Sequence, residues 1–273
     1  MISKPLVKYV LTAAMRDRLM VTLALMILMG AALSVFMGSA SVTEGASFAL
    51  VFGSGSLRFL GVIGLVLFCC FYIRRAFENK EVEFLLSRPI SRLSFLVSHA
   101  LAFSFLAFLI AAMITVVVGV IGHPNMEGLL IWGASLAAEF AMMAVAALFF
   151  SMVLSSAAGS ALATLGLYAL SRTTGTLLGV LSQGPTNWFY AIIGSMMKLI
   201  SMVTPRLDMM GQTTWLVYGV RRSAGLQFMP HASVYAHWVV VHLGVTGFIA
   251  MQGMVFVALL LAASAFDFTR RQF

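Results

Sequence analysis

Long apolar runs separated by short polar stretches organise this chain. The runs Leu19–Met37, Leu57–Ile73, Phe95–Ile121, Leu129–Leu154, a fifth reaching Leu181, and Gly244–Phe266 reach or approach the roughly 20 residues that span a bilayer. They predict six transmembrane helices. Ahead of them, Lys4, Lys8, Thr12 and Arg16 recur every fourth position, while Leu6, Val7, Val10, Leu11 and Ala14 share the other side. That pattern fits an amphipathic helix over residues 1–18 lying at an anionic inner leaflet, or equally the cytoplasmic start of the first span. Residues 182–243 break the regularity with Pro185, Pro205 and Pro230 and the bases Lys198, Arg206, Arg221 and Arg222. They are expected to form an outside segment with one or two helices that dip into the membrane or lie on it.

Composition fixes the class. The 273 residues are 61% hydrophobic and 10% charged, with a mean hydropathy of +1.01, which places the chain among integral membrane proteins. The formal charge of +8 does not point to nucleic acid, because the bases gather at the ends of apolar runs. Placing Lys4, Lys8, Arg16, Arg18, Arg74, Arg75, Lys80, Arg88, Arg92, Arg270 and Arg271 inside leaves Arg58, Lys198, Arg206, Arg221 and Arg222 outside. This bias predicts both termini on the cytoplasmic side, and all four tryptophans, Trp132, Trp188, Trp215 and Trp238, at or beyond the outer interface. The glycine-rich stretch between Met37 and Ser56 then reads as an outside link. The first run is longer than a signal-peptide core and is read as a retained helix. Cys69 and Cys70 are adjacent within a run and read as packing residues.

One polar stretch stands between the second and third spans: Phe77-Glu78-Asn79-Lys80-Glu81-Val82-Glu83-Phe84-Leu85-Leu86-Ser87-Arg88-Pro89-Ile90-Ser91-Arg92. Its acids cluster where they suit the positive end of a helix dipole. Pro89 disfavours helix at Arg88, and Ser91 can cap the helix that follows. The expectation over residues 76–92 is a short water-side helix with a sharp exit, rather than a plain loop. No Gly-rich phosphate-binding motif occurs, so any ATP used must be hydrolysed by a partner. His99, His123, His231, His237 and His242 form no metal-ligand pattern, and no catalytic set is nominated.

Two ionisable residues sit at membrane depth, Glu139 about ten residues into the fourth span and Arg172 about sixteen into the fifth. Such charges mark a translocation path, or else Arg172 snorkels outward while Glu139 is protonated or hydrogen-bonded. Their different depths argue against a direct ion pair. Ser155, Gly159 and Ala163 recur every fourth position and offer a close-packing face.

The polar stretch resembles the coupling region of permease subunits of type-2 ABC exporters, the ABC-2 superfamily. The acidic segment Glu78, Glu81 and Glu83, the pair Leu85-Leu86, and Arg88-Pro89-Ile90-Ser91-Arg92 carry the likeness. The resemblance implies an all-α polytopic fold forming one transmembrane domain over residues 1–273, and a coupling helix that docks on a cytoplasmic ATPase. It also implies two ATPase copies holding ATP and Mg, a second permease copy as homodimer partner, an inner-membrane location, and room for an accessory periplasmic or membrane protein. No cofactor is expected in this chain, which is read as non-catalytic. The competing readings are a haem-exporter-like ABC subunit, an ion-coupled secondary carrier or channel, and a membrane scaffold.

Overall fold

A computed structural model describes residues 3–41, 44–81, 91–183, 187–219 and 234–270. Among them the secondary structure is helical throughout, with no strand. The elements are α1 (Lys4–Arg16), α2 (Arg18–Ser39), α3 (Gly45–Glu78), α4 (Arg92–Gly122), α5 (Met126–Val153), α6 (Ala157–Gln183), α7 (Trp188–Val203), α8 (Thr214–Tyr218) and α9 (Val234–Arg270), with a 3₁₀ turn at Leu207–Met209 before α8. Five stretches are long and apolar enough to cross a membrane: α2, α3, α4, α5 and the Thr246–Asp267 part of α9. The chain is therefore an all-α, multi-pass membrane protein.

The amphipathic reading of the N-terminus holds. Pro5 in the first turn suits a helix start, and α1 buries Leu6, Val10 and Ala14 as it packs on α4. The Ser3 N–H donates to Ser98 Oγ on α4 at 3.0 Å. Asp17 then makes the corner into α2. One carboxylate oxygen accepts from the Leu19 N–H at 2.9 Å, and the other meets Arg75 Nη2 at 2.7 Å. The basic end of the bundle, where α1 lies, is thereby tied to the far end of α3.

Partial burial raises the Asp17 pKa, but the Leu19 hydrogen bond and the Arg75 guanidinium outweigh it and hold the carboxyl below its usual value. A depressed carboxyl contributes stability that is complete above its unfolded pKa of about 4 and is lost as pH falls through the folded value. Asp17→Asn retains a capping side chain and removes the charge, so it is expected to cost under about 1 kcal/mol at pH 7. The cost should begin to shrink below about pH 4 and vanish once the pH is below the folded value, in unfolding measurements across pH.

α3 corrects the expected outside link. Helix begins at Gly45, directly after Glu44 in left-handed geometry (φ 56°), and runs 34 residues to Glu78. The glycine-rich stretch is helical because it packs tightly on α2: a Cβ on Gly53 would lie 3.1 Å from Ser34 Cβ. Close approach continues inward, where a Cβ on Gly61 would stand 2.7 Å from both Ile114 Cδ1 and Phe140 Cζ. Lipid gives helices no hydrophobic drive to associate, so such contacts supply the packing. α3 and α5 form the centre, and α2 and α9 lie at the periphery with Leu25, Met29, Met254 and Leu259 exposed. Cys69 and Cys70 are buried free thiols in the centre, as expected.

α6 falls short on apolarity although it has 27 residues. Its packed face is Ser160, Thr164, Tyr168, Ser171 and Thr174, not the Ser155, Gly159 and Ala163 face read from spacing. The hydroxyls of Ser160, Thr164 and Thr174 donate to carbonyls one turn back, which lets polar side chains sit inside the bundle. α9 breaks at Gly244 (φ 71°), where the last span was expected to start.

Of the polar stretch between α3 and α4, residues 82–90 lie outside the described residues. Phe77 and Glu78 are the last turn of α3, with Glu78 Oε1 3.0 Å from Arg74 Nε, rather than the start of a separate helix. Ser91 caps α4 as expected, its Oγ accepting from the Ser94 N–H at 3.2 Å.

Candidate functional site

The centre of the bundle holds a charged cluster. Glu139 on α5 is fully buried, as is Tyr168 on α6 to within a few per cent. The Tyr168 hydroxyl donates to Glu139 Oε1 at 2.9 Å. Arg58 on α3, 2% exposed, places Nε 3.9 Å from the same oxygen. Arg172 on α6 places Nη1 3.6 Å from Oε2. The expectation that Glu139 and Arg172 stand apart is thus overturned: Arg172 lies one turn beyond Tyr168 on the same face, and its long side chain covers the difference in depth.

Arg58 corrects a second expectation. It is not an outside base at the start of the second span but a buried residue thirteen positions into α3. Glu139 is likewise thirteen positions into α5, and both helices start at the same end of the bundle. The Arg58 guanidinium lies 5.4 Å from the Trp132 ring centroid, a cation–π contact. Trp132 and Trp215 are fully buried and do not belong to an interfacial belt, whereas Trp188 and Trp238 are exposed.

Two arginines against one carboxylate leave the cluster one positive charge in excess. The segment after α7 meets that excess with backbone carbonyls. Arg58 Nη2 donates to the Gly211 carbonyl, and Arg172 Nη1 to those of Leu207 and Met210, the latter at 2.9 Å. Gly211 has φ 56°, and a Cβ there would strike the Arg58 guanidinium, so only glycine presents this carbonyl. Non-helical backbone buried inside a bundle needs partners for its polar groups. Here the arginines satisfy three carbonyls, and the carbonyls dilute the surplus charge. Arg206 and Asp208 close the same turn with paired contacts at 2.9 and 2.8 Å. At its far end, the Asn125 N–H donates to the Leu216 carbonyl at 3.0 Å, and Gly128 lies against the Trp215 carbonyl.

Of the residues named from sequence, Glu139 and Arg172 come together; Arg58, Tyr168, Trp132 and Gly211 were missed. Glu78, Glu81 and Arg92 lie at the other end, with Glu78 twenty residues along α3 from Arg58, about 30 Å at the helical rise. Glu83, Leu85, Leu86, Arg88 and Pro89 lie outside the described residues. His99 is buried among Phe95, Phe103 and Tyr72, and among the described residues no set of three or more His, Cys, Asp or Glu side chains could hold a metal. What the cluster can do is hold three helices and one irregular segment in a single arrangement, with the Glu139 carboxylate at its hub. No protein-family model matches the chain, and no curated protein matches it.

Proposed function

We propose that this chain is the permease subunit of an ATP-driven transporter of the type-2 ABC exporter kind. Two copies would pair in the cell inner membrane, with both termini cytoplasmic and two separate ATPase subunits bound below. What supports this reading is that α3 ends and α4 begins at the same end of the bundle as basic α1, both helices reach the core, and the sequence joining them is charged. A push on this connection acts on α3 and α4 together. In this reading α6 is the sixth crossing, its polar stripe turned inward, and α7 with the segment to Tyr218 is a re-entrant outer element resting on the Glu139 cluster.

The test is to purify the complex with its native ATPase. Glu81→Lys, Arg92→Glu and Pro89→Ala are expected to insert normally and to lose copurifying ATPase or at least about tenfold of its coupled hydrolysis. Wild-type assembly and transport in all three overturns the assignment. The identity of the copurifying ATPase distinguishes a haem-exporter-like subunit. The buried carboxylate favours a second reading, an ion-coupled carrier with Glu139 as proton site. Transport driven by a proton gradient in vesicles holding this chain alone, and lost in Glu139→Gln, selects it.

A further inference from the structure

α1 has a second side that packing on α4 leaves open. Between the two helices runs a groove of about 610 Å³ lined by Lys4, Val7, Lys8, Leu11, Thr12, Met15 and Leu101. Its size falls in the range of small-molecule sites, though it is open along its length. The lining is almost wholly apolar, yet Lys4 and Lys8 stand one turn apart on its rim, and both are exposed. Thr12 follows one turn further, its hydroxyl donating to the Lys8 carbonyl at 2.8 Å. α1 itself contains no Asp or Glu between Lys4 and Arg16, and Asp17 is already engaged by Arg75. Thus two ammonium groups border an apolar trough with no acid on α1 to neutralise them.

We propose that this groove binds one anionic phospholipid, with an acyl chain along Val7, Leu11, Met15 and Leu101 and its phosphate between Lys4 and Lys8. The inference rests on the chain being a membrane protein and not on the ATP-driven reading. A surface that only attracts anionic lipid through scattered bases needs no trough. A trough that only takes acyl chains needs no bases. Their coincidence on one side of α1 selects a lipid with both an acyl chain and a net negative headgroup. The adjoining side of α1, carrying Leu6, Val10 and Ala14, is already occupied by α4.

The experiment is native mass spectrometry of the full chain released from nanodiscs of equimolar palmitoyl-oleoyl phosphatidylglycerol and phosphatidylcholine. Wild-type protein should retain one phosphatidylglycerol per chain in preference to phosphatidylcholine. Lys4→Gln with Lys8→Gln should lose that preference by on the order of thirtyfold, from the attraction typical of two surface lysines. Leu101→Trp fills the trough and leaves every charge in place, and it should expel the lipid as well. Arg18→Gln, outside the groove, should behave as wild type. Equal retention of the two lipids by wild type overturns the proposal. So does undiminished phosphatidylglycerol on Leu101→Trp, which would reduce the effect to diffuse charge. Thermal unfolding of each variant in detergent checks that the bundle is intact, and Lys4→Gln alone, at an exposed position, provides the readout should the double variant fail to fold.

Discussion

Replacing Glu139 with alanine should cost about 3–5 kcal/mol of stability, the loss typical of breaking a buried ion pair from one side. The reason is what remains. Arg58, 2% exposed, and Arg172 would face each other's charge with only three carbonyls and the Trp132 ring to balance them. Glu139→Gln preserves an acceptor for the Tyr168 hydroxyl but not the charge, so it should fall between alanine and wild type. Pairing Glu139→Leu with Arg58→Met removes one charge of each sign and should recover much of the loss, because buried ion pairs replaced by apolar residues of similar volume are often neutral. Unfolding of detergent-solubilised protein, followed by tryptophan fluorescence, reads all of these. Wild-type stability in Glu139→Ala would mean that water reaches both arginines and that the cluster is not dry.

Gly128→Ala should be nearly as damaging, at about 2–3 kcal/mol. The new methyl group would run into the Trp215 carbonyl. That carbonyl has little freedom, since it belongs to α8 and the Gly219 N–H donates to it, while the adjacent Leu216 carbonyl accepts from the Asn125 N–H. The strain should lift α8 off the start of α5, which a cysteine placed at Leu216 would register as faster thiol labelling. Gly166→Ala provides the control. Nothing lies within 4 Å of a Cβ there, so the same change should be neutral or stabilise α6 by up to about 1 kcal/mol. A uniform response at both positions would exclude the contact as the cause.

Five of the six expected spans were legible because apolar runs of bilayer length have few alternatives in a chain this hydrophobic. Ser91 as a cap was legible for a similar reason, since it depends on local backbone chemistry, and Gly244, read as the start of the last span, proves to be where α9 breaks. The hub was only half legible. Glu139 and Arg172 stand out by charge alone, but Arg58 was hidden behind a misplaced helix start. Had α3 been begun at Gly45, Arg58 and Glu139 would have counted to the same depth from the same end. Glycines such as Gly45 and Gly53 signal a loop in water, whereas in this bundle they lie against Gly38 and Ser34 of α2. The inward face of α6 was missed for a related reason. Its serines and threonines lower its hydropathy, and only the structure reveals that the hydroxyls of Ser160, Thr164 and Thr174 donate to carbonyls one turn back. Nothing in the spacing of residues 204–219 announces that their carbonyls turn toward arginines more than thirty positions away.

The length of α3 has a mechanical consequence. Its 34 residues form one uninterrupted rod, unlike α9 with its break, and about 30 Å separate Glu78 from Arg58 along it. A swing of about 10° about one of those points carries the other sideways by about 5 Å, more than the reach of a direct charge contact. Tilting this rod at its Arg75 end therefore either carries α5 and α6 along as one body or pulls the guanidinium away from its carboxylate, freeing Gly211 from its anchor.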